Sequence, residues 1–226
     1  VTAVVTGGGR GIGRATALAF AARGHDVVVV GRAHDELEEV AAEIRRIGRG
    51  ALALRCDVTS AADLATAAAE TVRVFGAPTA VVANAGIVRR GLVHELSEDD
   101  WDDVVDVNLK GTFLTARAFL PAMLAAKTGR FVAIGSISST LGTARQSAYC
   151  AAKWGVVGFV KSLAEELRGT GLGTLCILPG SVDTKMLEGS GFAPQMTAEE
   201  VAGLVVYAAL DAPAAMNGSA VEMFGP

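Results

Sequence analysis

The chain is short of the features that mark many classes of protein. Of its 226 residues only three are cysteine, three are histidine and six are proline, and aromatic residues make up 5%. The cysteines, Cys56, Cys150 and Cys176, are odd in number and lack metal-ligand spacing, which argues against a disulfide framework or a zinc site. The histidines, His25, His34 and His94, have no ligand spacing either. Cys56 and Cys176 lie in apolar runs, read as buried thiols of a reducing, cytoplasmic compartment. No apolar run approaches the ~18 residues of a membrane span. No block of like charge suggests a tail, and no basic face suggests nucleic acid; the net charge is -4 with both signs interspersed. No leader is visible, and the first strand-like run starts at once. No linker or repeat divides the chain.

What is present is a 51% hydrophobic, 19% charged composition rich in glycine, with 27 residues of that type. These values suit one compact α/β domain over residues 1–226. Short β-branched runs at 2–6, 26–30, 51–56, 80–83, 130–136, 174–178 and 219–223 read as strands. Amphipathic stretches at 12–23, 35–47, 61–75, 98–126, 147–169 and 198–210 read as helices. Val27 to Val30 is wholly apolar, as in a parallel strand covered on both faces. Ser60, Ser97 and Thr197 each precede an acid by three residues and read as helix caps, while Gly24, Gly48 and Gly171 read as helix ends. The alternation predicts a doubly wound sheet of about seven parallel strands with helices on both faces. Residues 184–196, with Gly189, Gly191 and Pro194, read as a loop or lid.

Thr6 to Gly13 reads T-G-G-G-R-G-I-G, after the first strand and at the start of the first helix. There Gly7, Gly9, Gly11 and Gly13, with Ile12, let the backbone approach a pyrophosphate at a helix N-terminus. The second strand ends in Gly31-Arg32, where a carboxylate would select a free ribose hydroxyl. Arg10 and Arg32 together suit a ribose 2′-phosphate, which favours NADP(H) over NAD(H); the bland reading is two solvated charges. Asp57 and Val58 follow the third strand, and Asp57 suits either an adenine contact or a turn. Asn84-Ala85-Gly86 follows the fourth strand and Pro179-Gly180-Ser181-Val182-Asp183-Thr184 the sixth, so both reach the crevice at the strands' carboxyl ends.

Tyr149 and Lys153 stand four apart, on one helical face. An ammonium beside a phenol favours the phenolate and makes an acid/base pair for a substrate oxygen. Ser136 ends the fifth strand and Asn108 lies in the 98–126 segment; singly, each suits an ordinary capping or helix-polar role. Cys150, Trp154 and Phe159 read as packing or subunit contacts.

The set T-G-G-G-R-G-I-G, N-A-G at 84–86, Asn108, Ser136, Tyr149-x-x-x-Lys153 and P-G-S-V-D-T at 179–184 closely resembles the short-chain dehydrogenase/reductase family, over nearly the whole chain. The resemblance implies a single Rossmann-type domain and an enzyme moving hydride between a nicotinamide and a ketone or secondary alcohol. It implies Tyr149 as general acid/base, Ser136 on the substrate oxygen, and Lys153 on the nicotinamide ribose. Asn108 would hold a water of a proton relay. Val182 and Thr184 would meet the carboxamide, and Asn84, Ala85 and Gly86 would flank the ribose. It also implies a homo-oligomer, a tetramer or dimer, joined partly through 98–126 and 147–169.

Two departures stand out: Ala83 replaces the first asparagine of the family's N-N-A-G run, and the segment from Thr184 to Thr197 is short. Val88, Leu92, Ser138, Leu141, Met186, Leu187 and Phe192 are candidate pocket residues, and a 3-oxoacyl thioester, quinone, sugar or steroid each suits them. Arg89, Arg90 and Arg145 read as surface charges, or as attractors of an acidic tail. The alternatives are an NAD-dependent alcohol or hydroxysteroid-type dehydrogenase and, from another class, a non-catalytic NADP(H)-binding sensor.

Overall fold

The computed structural model describes residues 1–225; Pro226, the last residue of the expected domain, lies outside the described residues. Seven strands form one parallel sheet in the order β3-β2-β1-β4-β5-β6-β7. They are β1 Thr2–Thr6, β2 Asp26–Gly31, β3 Ala51–Arg55, β4 Ala80–Ala83, β5 Gly129–Ile134, β6 Leu172–Pro179 and β7 Ala220–Met223. The helices are α1 Gly11–Ala22, α2 His34–Arg46, α3 Ala61–Phe75, α4 Glu98–Val105, α5 Gly111–Ala126, α6 Ser147–Glu166 and α7 Ala198–Leu210. Among the described residues, no helix is long and apolar enough to cross a membrane.

The period-two pleat sorts the valines of β2 onto two faces. Val27 and Val29 join the core beneath α1, α2 and α7, whereas Val28 and Val30 join the core beneath α3, α5 and α6. All four are fully buried, and burial of a side chain of this size contributes roughly 1.5–3 kcal/mol. The apolar run in the sequence is thus a strand covered on both sides.

Sequence and structure differ at one helix. The expected 98–126 segment is α4 and α5 joined by a wider π-type turn over Asp106–Lys110. Such turns recur at functional sites, and this one carries Asn108. Gly111 ends it, and a Cβ there would lie 2.9 Å from a Val58 methyl. The helix therefore approaches β3's exit loop too closely for any side chain at that position. Strand ends shift by one or two residues at β2, β3, β5, β6 and β7, and α6 ends at Glu166, three residues before the expected end.

The N-terminal caps sit where expected, whereas Gly171 lies at the entry to β6 and not at the end of α6, which stops at Glu166. Ser60 and Ser97 accept from the backbone N–H groups of Asp63 and Asp100 at 3.2 and 3.1 Å. Thr197 accepts from Glu200 N–H at 3.2 Å while the Glu200 carboxylate accepts from Thr197 N–H at 2.7 Å. Gly24 and Gly48 close α1 and α2 at φ of 85°. Thr197→Ala removes both the acceptor and the reciprocal geometry, so chemical denaturation should show a loss of about 1 kcal/mol. An unchanged denaturation midpoint contradicts this account of α7's start.

Candidate active site

The sheet turns at β1: the chain moves outward to β2 and β3, then crosses back to β4 on the other side. A crevice opens at that switch point, above the carboxyl ends of the strands. One cleft of about 1190 Å³ lies there, and the nineteen residues Gly7, Gly9, Arg10, Gly11, Ile12, Gly13, Arg32, Asp57, Val58, Asn84, Ala85, Gly86, Ser136, Tyr149, Lys153, Pro179, Gly180, Val182 and Thr184 all line it.

The glycine loop is a built cradle. Gly7 and Gly11 adopt φ of 63° and 52°, which L side chains rarely take. A Cβ at Gly13 would collide with the Gly7 carbonyl. Arg10 makes no side-chain cap bond and the first turn of α1 holds no acid, so this N-terminus offers its amides to an anion. The buried Thr6 hydroxyl accepts from the N–H groups of Asn84 and Ala85 at 3.0 and 3.1 Å. The Asn84 amide donates to the carbonyls of Thr6 and Gly7 at 2.9 and 3.2 Å. The Asn84 amide group thus fixes the floor beside the loop. Such a narrow, donor-lined cradle fits a dinucleotide pyrophosphate.

At the second strand, Arg32 is exposed and lines the cleft. Arg10 lies 4.0 Å from Glu36, whose β-carbon packs 3.0 Å from the position a Gly9 Cβ would take. Glu36 lines the same cleft and had no signal in the sequence, because only α2's rotation brings its first turn over Gly9. Asp57 holds a turn, accepting from Thr59 N–H and hydroxyl at 2.9 and 2.8 Å, and faces the cleft too. Asp57 is therefore a turn residue that also faces the cleft.

Farther along, Ser136 follows β5 and accepts from Ser138 N–H at 3.1 Å, so it caps locally and faces the cleft. Tyr149 and Lys153 lie on the inner face of α6 and are 9% and 4% exposed. Lys153 Nζ donates to the Ile134 carbonyl at 2.8 Å and stands 5.6 Å from the Tyr149 ring centroid. Burial lowers the Lys153 pKa from 10.5 to about 8. Burial raises that of Tyr149, with the Ser136 hydroxyl pulling the other way. The lowering expected from Lys153 does not arise here; burial sets the direction, and Tyr149 keeps its proton in the free protein.

Asn108 is fully buried on the π-type turn, and its amide donates to the Ile87 and Val104 carbonyls at 2.8 Å each. Its Oδ1 is buried with no partner. A Cβ at Gly86 would sit 2.7 Å from that oxygen and 3.7 Å from Lys153 Nζ, so the glycine keeps open the space between the two. An unpartnered buried acceptor beside an ammonium is a site for a small donor such as water.

Of the candidate pocket residues, Val88, Ser138, Leu141, Met186, Leu187 and Phe192 line the cleft. Leu92 does not; it is 41% exposed outside it. No cluster of metal-binding residues exists among the described residues.

The short chain dehydrogenase family model matches residues 1–193. This chain belongs to the short-chain dehydrogenase family. It is 38% identical over 223 residues to a 3-oxoacyl-[acyl-carrier-protein] reductase of Synechocystis sp., covering 94% of this chain and 90% of the relative. It is 32% identical over 235 residues to the FabG reductase of the same description from Salmonella typhimurium, covering 99% and 95%. A short-chain type dehydrogenase/reductase from Mycobacterium marinum superposes with a TM-score of 0.94 at 31% identity, covering 99% of this chain and 94% of that one. Levodione reductase also superposes with a TM-score of 0.94, at 29% identity and 99% and 96% coverage. The protein is accordingly an NAD(P)-dependent oxidoreductase acting on CH–OH or C=O groups of a small molecule.

The state of Lys153 leads to a measurable consequence. Between about pH 8 and 10.5 the unfolded chain holds more protons at this position than the folded one, so this group's contribution to stability grows as pH rises. The stability difference between the parent and Lys153→Met should therefore increase across that window in denaturation titrations. A flat difference contradicts a desolvated lysine.

Proposed function

We propose that the protein is an NADP(H)-dependent carbonyl reductase for a 3-oxoacyl or similar ketone, working through Ser136, Tyr149, Lys153 and Asn108. The observation that carries this reading is the buried Tyr149–Lys153 face of α6, with Ser136 on one side and the unpartnered Asn108 Oδ1 on the other. The bound cofactor supplies hydride in reduction and takes it up in oxidation.

In reduction, Ser136 Oγ donates to the substrate carbonyl oxygen and Tyr149 gives it the phenolic proton. The raised pKa of the buried phenol keeps that proton available near neutral pH. Lys153, protonated below about pH 8, then neutralises the phenolate. A water held by Asn108 Oδ1 beside Lys153 returns the proton from outside. The dry, prearranged donors stabilise the developing alkoxide without reorganising.

NADP(H) preference rests on the two guanidinium groups, Arg10 and Arg32, at the cleft's second-strand end. Glu36 supports the second reading, an NAD-dependent alcohol or hydroxysteroid-type dehydrogenase, since a carboxylate there accepts from ribose hydroxyls and repels a phosphate. A 3-oxoacyl substrate is supported by the descriptions of the Synechocystis and Salmonella relatives. A single domain, a homo-oligomer and cytoplasmic residence belong to the same proposal. The exposed Trp101, Phe113 and Trp154 on α4, α5 and α6 and the free cysteines support the last two.

Tyr149→Phe should lower turnover about 10²–10⁴-fold with NADPH binding retained; near-normal turnover sinks the mechanism, whereas a parent protein that binds NADPH but never oxidises it leaves the sensor reading. Arg32→Ala should weaken NADPH roughly tenfold or more while changing NADH little, read by fluorescence titration. Equal weakening of both cofactors removes the case for a 2′-phosphate.

A further inference from the structure

Residues 183–195 leave β6 and return at a pinched base. Val182 pairs with Met196 in a parallel bridge, Asp183 N–H donates to the Met196 carbonyl at 2.9 Å and Gln195 N–H donates to the Ser181 carbonyl at 2.8 Å. A segment closed at its base in this way is an Ω-loop. Its tip carries Met186, Leu187 and Phe192 over the cleft. Gly189 and Gly191 at φ of 68° and 81° give the tip two left-handed joints. Within the tip, residues 184–192, the backbone bonds run only from turn to turn.

One side chain ties this tip to the body. Arg90 donates through its two terminal nitrogens to the Met186 carbonyl at 2.9 Å and the Glu188 carbonyl at 3.3 Å. Among the described residues no other hydrogen bond joins 184–192 to the rest of the protein beyond the base. Arg90 itself stands on a braced arm. The Ile87 carbonyl accepts from Asn108 at 2.8 Å, and Gly91 N–H donates to the Arg145 carbonyl at 3.0 Å. Arg145, just before α6, is held at φ of 64°. Neighbouring Arg89 is turned the other way, to Asp100 and Asp103 on α4 at 3.1 and 3.5 Å. The two arginines that read alike in sequence thus have opposite duties.

We infer that Arg90 is a positioning residue that latches the 184–192 lid over the substrate end of the cleft, so that its release sets how fast the bound molecules leave. A planar fork reaching two carbonyls two residues apart suits a latch, because either bond alone leaves the lid free to pivot. The two carbonyls accept from no other protein group among the described residues, so the fork is the tie that holds them to the body. The guanidinium also lies near enough to Tyr149 to favour its phenolate. This inference uses the cleft as the reaction site, but its first test needs neither cofactor nor turnover.

Lys185 lies in the lid and Lys161 in the body of α6, so trypsin reads local and global opening in one sample. The ratio of cleavage after Lys185 to cleavage after Lys161 should rise about tenfold in R90M and less in R90K. Taking the ratio keeps the test valid even if a variant is globally less stable. NADPH release followed by stopped-flow fluorescence should quicken in the same order. The Tyr149-dependent limb of the rate–pH profile should move to higher pH in R90M and stay in R90K, which keeps the charge. A cleavage ratio equal to the parent's in both variants overturns the latch, and so does a limb that stays put in R90M.

Discussion

The cleft end of this fold depends on one desolvated charge. Lys153 brings an ammonium to a place where burial alone disfavours it, and its surroundings are arranged around that fact. The Ile134 carbonyl at the end of β5 accepts from it, the Tyr149 ring stands beside it, and the Asn108 oxygen faces the same small space. Three elements distant in the chain therefore meet at one nitrogen. Holding Lys153 in place also holds Tyr149 one turn away, on the face of α6 that looks into the cleft.

The same constraint accounts for the local irregularities. A regular helix over 98–126 would be cheaper in backbone terms, but the π-type turn puts Asn108 wholly inside with both amide hydrogens used and its oxygen spare. Gly86 and Gly111 lack side chains where a Cβ would meet Asn108 and Val58. At the other end of the cleft the glycine loop makes the same exchange, trading side chains for close backbone approach. Precise chemistry is built on rigid strand ends, while the lid over it is held by few contacts, as release of a bound molecule requires.

Most of the fold was legible because parallel sheets leave strong local marks. The valines of β2 could only be a strand buried on both faces, and the capping residues at Ser60, Ser97 and Thr197 marked helix starts to the residue. The π-type turn was not legible, since D-V-N-L-K has no composition that separates it from an ordinary helix. Glu36 was missed, and Arg90 was read only as a surface charge or an attractor of an acidic tail, for a related reason. Each is one charge among many in sequence, and only a neighbour far along the chain, Gly9 or the lid carbonyls, gives it a place.

The sequence by itself determined the order of strands and helices, the glycine cradle and the Tyr149–Lys153 spacing, because each depends on residues within a turn or two of one another. Tertiary structure alone decided that burial raises the Tyr149 pKa, that Asn108 keeps a free oxygen beside Lys153, and that Arg89 and Arg90 face apart. Those outcomes depend on desolvation and on contacts between distant segments, and neither is written in local spacing.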